Sequence, residues 1–177
     1  MRFAETPLAG AWVIEIDRLQ DERGHFARTF DRDEWLARDM DPTVLQCSVS
    51  FNRRAGTLRG MHLQSDPHGE TKLVSCSAGA IFDVIVDLRA GSPTHRAWFG
   101  IELSAANGRA LYIPTGMAHG FQTLRDDSEV RYMMGRPYVP QAATGVRWDD
   151  PAFAIDWPAA DERTISERDR SYPDYAP

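Results

Sequence analysis

Two cysteines, no membrane-length apolar run and no basic excess set the first limits on this 177-residue chain. Cys47 and Cys76 both fall inside strand-like runs, so the expectation is two reduced core thiols in a cytoplasmic protein rather than a disulfide framework. No apolar stretch approaches the roughly 20 residues a membrane helix needs. The opening residues Met1 to Pro7 lack the uninterrupted apolar core of a secretory leader. A formal net charge of -6 argues against a nucleic-acid partner, which requires a basic face. It also means that an anionic small ligand must be met by a local cationic cluster, because the overall field repels it.

Helical signal is scarce as well. Residues 31–40, Asp31-Arg32-Asp33-Glu34-Trp35-Leu36-Ala37-Arg38-Asp39-Met40, read as the one internal helix, with acids in the first turn and a stop before Pro42. Trp12 to Ile16 is a short apolar run ahead of a polar turn at Asp21-Glu22-Arg23-Gly24. From Val44 to Met134 short runs alternate with turn signals such as Arg54-Ala55-Gly56, Ala78-Gly79 and Ala106-Asn107-Gly108, the spacing of an all-β sandwich or barrel. Within Ile81–Leu88, Phe82, Val84, Val86 and Leu88 form one apolar face, while Asp83 and Asp87 share the other with Ile81 and Ile85. The tail from Trp148 onward, rich in Pro, Asp and Trp, is expected to wrap the barrel, which leaves one domain over 1–177.

Two runs carry chemistry. Gly56-x5-His62-x-Gln64 is followed 52 residues after its first glycine by Gly108-x5-Pro114-x-Gly116-x2-His119. The second run has the spacing of the second cupin motif. The first is a cupin motif in which Gln64 stands where the metal-binding version has a histidine. An amide is a poor metal ligand, so no metal is expected, and proton transfer is the natural use of His62. A metal-dependent cupin enzyme built on His62, His68, Glu70 and His119 is the rival, but Glu70 lies farther from Gln64 than that motif places its glutamate.

Further pieces follow in order: Asp21-Glu22-Arg23-Gly24-x-Phe26, Leu58-Arg59-Gly60-Met61-His62-x-Gln64, Lys72-Leu73-Val74, Phe82-Asp83-Val84-x-Val86-Asp87-Leu88-Arg89, Ile113-Pro114-x-Gly116-x-Ala118-His119-Gly120-Phe121, Tyr132, Tyr138-x-Pro140 and Trp148-Asp149-Asp150-Pro151. This ordered set resembles the dTDP-4-dehydrorhamnose 3,5-epimerases over nearly the whole chain. The resemblance implies a mainly β, cupin-type double-stranded β-helix (a jelly-roll barrel) with a few short helices. It implies a nucleotide-linked 4-keto sugar as substrate, no cofactor, and a homodimer that exchanges its N-terminal strands, so that Arg23 and Phe26 serve the partner's pocket.

The same resemblance assigns roles. His62 is the base, oriented by Asp169 in Ser166-Glu167-Arg168-Asp169; Tyr132 is the proton donor on the opposite face; Lys72 faces the developing enolate. Ser166-x-x-Asp169 is also a capping-box pattern, so helix capping competes for that carboxylate. Arg23, Arg59 and Arg168 resemble the family's phosphate-binding cations, Phe26 and Tyr138 its base-stacking aromatics, and His119 a ligand contact. Gln46 and Ser48 fall on the nucleotide side. Three residues there depart from the family: Arg28 replaces a glutamate, Ser48 an asparagine and Ala143 a glutamate. A non-catalytic sugar-binding cupin is the remaining rival, although binding alone needs no acid and base on opposite faces.

Strand parity adds one requirement. Strict alternation places His62 and Gln64 on one face and Arg59 on the other. Arg59 and His62 reach one ligand only if the strand bends or bulges between them, and Gly60 is placed to permit that; otherwise Arg59 is a surface cation.

Overall fold

Side-chain alternation organises residues 1–176, the part of the chain described by the computed structural model. The strands are β1 (Arg2–Glu5), β2 (Trp12–Glu15), β3 (Leu19–Asp21), β4 (Gly24–Phe26), β5 (Gln46–Asn52), β6 (Thr57–Gln64), β7 (Lys72–Ala78), β8 (Ala80–Asp87), β9 (Trp98–Ser104), β10 (Arg109–Ile113), β11 (Met117–Thr123), β12 (Ser128–Met134), β13 (Ala143–Gly145) and β14 (Thr164–Ile165). Two short helices, α1 (Arg32–Leu36) and α2 (Glu167–Arg170), complete the set.

Two large sheets form, one in the order β1-β2-β10-β7-β12-β5 and the other in the order β13-β6-β11-β8-β9, with β14 added beside β6. Consecutive neighbours within each sheet are mostly far apart in sequence, as a jelly roll requires. Ile81 and Ile85 of β8 turn inward and join Leu103, Phe121, Val74, Leu111 and Val130 in one core drawn from both sheets. Val84 and Val86 point outward and are covered by Val146 and by Phe153 and Trp157 of the tail. The expectation that the tail wraps the barrel therefore holds, and the fold is the cupin-type jelly roll.

The outer face of the first sheet is covered differently. Trp35 and Met40 pack with Ile14, Leu73, Ala110 and Tyr112. Asp31 caps α1 by accepting from the Asp33 and Glu34 backbone N–H groups. The helix is shorter than the sequence suggests: it ends at the Ala37 cap, and Asp39 adopts φ +55°, which folds Met40 back under Trp35. Burying those two apolar side chains outweighs the three residues of further helix.

A second correction concerns the thiols. Both are unpaired, but only Cys76 is buried; Cys47 lies exposed on β5, which has a neighbour on one side only. Edge position decides this, since alternation alone cannot say whether the outward face of a strand is covered. Among the described residues no helix is long and apolar enough to cross a membrane.

The bend anticipated at Gly60 is present. His62 pairs with His119 while Arg59 pairs with Phe121, three steps on β6 against two on β11, so β6 carries one extra residue. Gly60 sits there with φ +136°, and a Cβ on it would lie 2.5 Å from the Gly120 Cα. Only glycine fits.

Candidate active site

The bulge brings Arg59 and His62 to the same cleft, a space of about 320 Å³ between the two sheets. The second sheet contributes Arg59, His62 and His119; the first contributes Ser48, Ser50, Lys72 and Tyr132. Residues from the tail and the loop after β12, Arg168 and Tyr138, close one side.

His62 Nε2 lies 2.8 Å from Asp169 Oδ1, and the other carboxylate oxygen accepts from the Gly60 N–H at 3.2 Å. The His62 side chain is 41% exposed, whereas that of Asp169 is 6% exposed. Burial alone would raise the Asp169 pKa, but the His62 ring, the Gly60 N–H and Ser166 outweigh it and hold the carboxyl below its ordinary 3.8. Ser166 does cap α2, accepting from the Asp169 N–H at 3.1 Å. The cap uses the backbone N–H of Asp169 and leaves the carboxylate able to meet His62 and the Gly60 N–H.

Lys72, the only lysine in the chain, spans the sheets by donating from Nζ to the His62 carbonyl at 3.1 Å. Glu70 Oε1 lies 2.9 Å from the same Nζ, with 7% and 5% of the two side chains exposed. A second histidine–carboxylate pair lies deeper, with His119 Nε2 2.7 Å from Asp83 Oδ1. Full burial raises the Asp83 pKa against the pull of His119 and Lys72. The Tyr132 ring meets His119 edge to face at 6.0 Å. Burial first and the Asp83 charge second push its phenol far above the ordinary value of 10, with Arg59 acting the other way. Tyr132 is thus a phenol that keeps its proton.

On the cationic side, Arg59 Nε donates to Asn52 Oδ1 at 2.8 Å. Arg168 reaches the Ala143 carbonyl at 3.4 Å. Gln46 Oε1 accepts from the Tyr138 N–H at 2.9 Å, which fixes the loop that carries that ring. Gln64 secures the same loop: its Oε1 accepts from the Val139 N–H at 2.6 Å and its Nε2 donates to the His68 and Pro137 carbonyls. Of the four side chains that a metal-dependent rival would use, three are engaged by other groups, His62 by Asp169, His119 by Asp83 and Glu70 by Lys72, and His68 does not line the cleft. Among the described residues no three His, Cys, Asp or Glu side chains converge on a metal position.

Four expected contacts do not line this cleft; Gln46 is the first, its side-chain oxygen taken by the Tyr138 N–H. Arg23 lies on the exposed β3–β4 hairpin and binds Asp21, and Phe26 on the same hairpin is 72% exposed. Arg28 pairs with Asp31, the cap of α1, instead of lining the nucleotide side of its own chain's cleft. Conversely, Asp83 and Asn52 escaped notice as site residues. Asp83 was detectable, because a carboxylate in phase with Ile81 and Ile85 must be buried and so needs a partner. Asn52 gave no such signal.

The sequence model of the dTDP-4-dehydrorhamnose 3,5-epimerase family matches residues 5–176. The chain is 40% identical to a dTDP-4-dehydrorhamnose 3,5-epimerase of Sinorhizobium fredii over 174 residues, covering 98% of this chain and 89% of the relative. Its fold is similar to that of a Bacillus anthracis dTDP-4-dehydrorhamnose 3,5-epimerase solved with TDP and pyrophosphate bound, with a TM-score of 0.94, 38% identity and coverage of 98% and 99% of the two chains. It is also similar to ChmJ, a 3'-monoepimerase of Streptomyces bikiniensis solved with dTDP-quinovose, with a TM-score of 0.89, 34% identity and coverage of 96% and 85%.

Proposed function

The chain belongs to the dTDP-4-dehydrorhamnose 3,5-epimerase family, and from that premise we propose how its own residues invert C3, C5 or both in a dTDP-linked 4-keto-6-deoxyhexose. The 4-keto group acidifies the C–H bonds on either side of it. Inversion needs a base on one face of the ring, a proton donor on the other, and a cation where the enolate oxygen develops.

The observation that carries this reading is the placement of His62 and Tyr132 on opposite sheets of one cleft, with Lys72 bridging the two. His62 removes the proton, and Asp169 orients the ring and stabilises its protonated form. Lys72 holds the enolate oxygen. Tyr132 returns a proton to the other face; its raised pKa keeps the phenol protonated until an enolate, a stronger base, is present. Arg59 and Arg168 meet the diphosphate, Tyr138 stacks on the base with its loop fixed by Gln46, and Ser48 and His119 lie along the bound sugar nucleotide. The step needs no cofactor, because the carbonyl already in the substrate stabilises the charge.

We place Arg23, Phe26 and Arg28 in a homodimer, where the β3–β4 hairpin of one protomer reaches its partner's cleft. The exposed apolar residues Leu19, Phe26, Val49 and Phe51, on that hairpin and on the open edge strand β5, support such an interface. Two unpaired thiols suit a cytoplasmic enzyme. NMR of dTDP-4-keto-6-deoxyglucose after incubation with the protein tests the activity: an inverted centre is expected, and unchanged substrate contradicts it.

A further inference from the structure

Glu70 is the one charged group in the cleft that the proton-transfer scheme leaves without a task. It lines the cavity, its side chain is 5% exposed, and it is set 2.9 Å from Lys72 Nζ. Its second oxygen, Oε2, is buried and has no hydrogen-bond partner among the described residues. A carboxylate held only for structure is normally satisfied at both oxygens. Here Lys72 is its single polar contact.

Lys72 itself sits in an unfavourable place for a cation. It is nearly buried, and its other hydrogen bond goes to the neutral His62 carbonyl. The groups around it are Glu70 on the approach to β7, Asp83 on β8, His62 and Arg59 on β6, His119 on β11 and Tyr132 on β12. Asp83 is engaged by His119, and Arg59 adds a like charge. An isolated ammonium in such a site sheds its proton; a carboxylate in contact prevents that.

We propose that Glu70 is a positioning residue that keeps Lys72 an ammonium, at a fixed point between the sheets, while the cleft awaits substrate. The proposal rests on the enolate-stabilising role given to Lys72 above, but its first test does not. Because Lys72 is the only lysine, an amine-acylating reagent has two targets, Lys72 and the N-terminal amine, which pairs with Asp17 at 3.0 Å. Acetic anhydride labelling across pH, read by peptide mass spectrometry with Met1 as the internal standard, reports the protonation midpoint of Lys72. Glu70→Gln should lower that midpoint by about one to three pH units. Glu70→Asp, which restores the charge, should return it towards the wild-type value, and it serves as the folded control. The second arm follows C–H exchange into the substrate across pH: in Glu70→Gln the pH above which kcat falls should drop by about the same one to three units, with dTDP affinity within about threefold. A wild-type midpoint in Glu70→Gln overturns the proposal. A lowered midpoint with unchanged exchange leaves Glu70 the keeper of the Lys72 charge and removes Lys72 from the reaction.

Discussion

His62 and Asp169 are 107 residues apart in the chain and 2.8 Å apart in the cleft. The contact depends on α2 and β14, which fold the tail back along β6 so that Thr164 and Ile165 pair with Thr57 and Leu58. The carboxylate therefore arrives from the tail as part of the same packing that covers the second sheet. Asp169→Asn keeps the shape and removes the charge that favours imidazolium. Exchange at the reacting carbons should fall by about 10²- to 10⁴-fold with dTDP binding nearly unchanged, measured by NMR and calorimetry.

Tyr132→Phe keeps the ring against His119 and loses the proton. Solvent exchange from the base-accessible face should persist while net inversion at C5 falls by about 10²-fold or more. Unaltered inversion would give the donor role to another group.

Asp87 predicts the acid limb of stability. Burial opposes its ionisation, but Arg89, Ser92 and Thr94 all bond it and hold its pKa well below the ordinary 3.8. A depressed folded-state pKa contributes stability that is present above 3.8 and is lost as pH falls below it towards the folded value. Asp87→Asn should cost about 1–3 kcal/mol at neutral pH and flatten the loss of stability in acid, read from urea midpoints across pH. Parallel acid limbs in the two proteins would exclude this carboxylate as their source.

The proposed dimer makes binding depend on assembly. Val49→Arg places a charge on the exposed face of β5, opposite the face from which Ser48 and Ser50 line the cleft. Sedimentation should show a monomer, and dTDP affinity should fall by about tenfold or more because Arg23 and Phe26 no longer reach a neighbouring cleft. A monomer with full affinity would show that each chain binds the nucleotide alone.

How much of this was legible in the sequence differs residue by residue. His62, Gln64 and His119 were readable because their motif spacing is local, and the inward and outward faces of β8 followed from simple alternation. Arg59 was legible only conditionally, since its side of the strand depends on the extra residue at Gly60. The length of α1 was misread because acids and capping mark where a helix starts, whereas the backfold of Met40 under Trp35 is a tertiary event. Burial of Cys47 was misread for a related reason: strand character says nothing about being at an edge. Arg23, Phe26 and Arg28 remain outside the cleft of a single chain, and contacts between chains leave no periodic trace in one sequence.

The central claim is that His62 takes the proton from carbon. Incubating wild-type protein and His62→Ala with dTDP-4-keto-6-deoxyglucose in deuterated water, and following C3 and C5 by NMR, tests it most directly. Wild type should incorporate deuterium at one or both carbons, and the variant at neither, while its dTDP affinity stays within about tenfold. Deuterium uptake by His62→Ala at the wild-type rate would contradict the account.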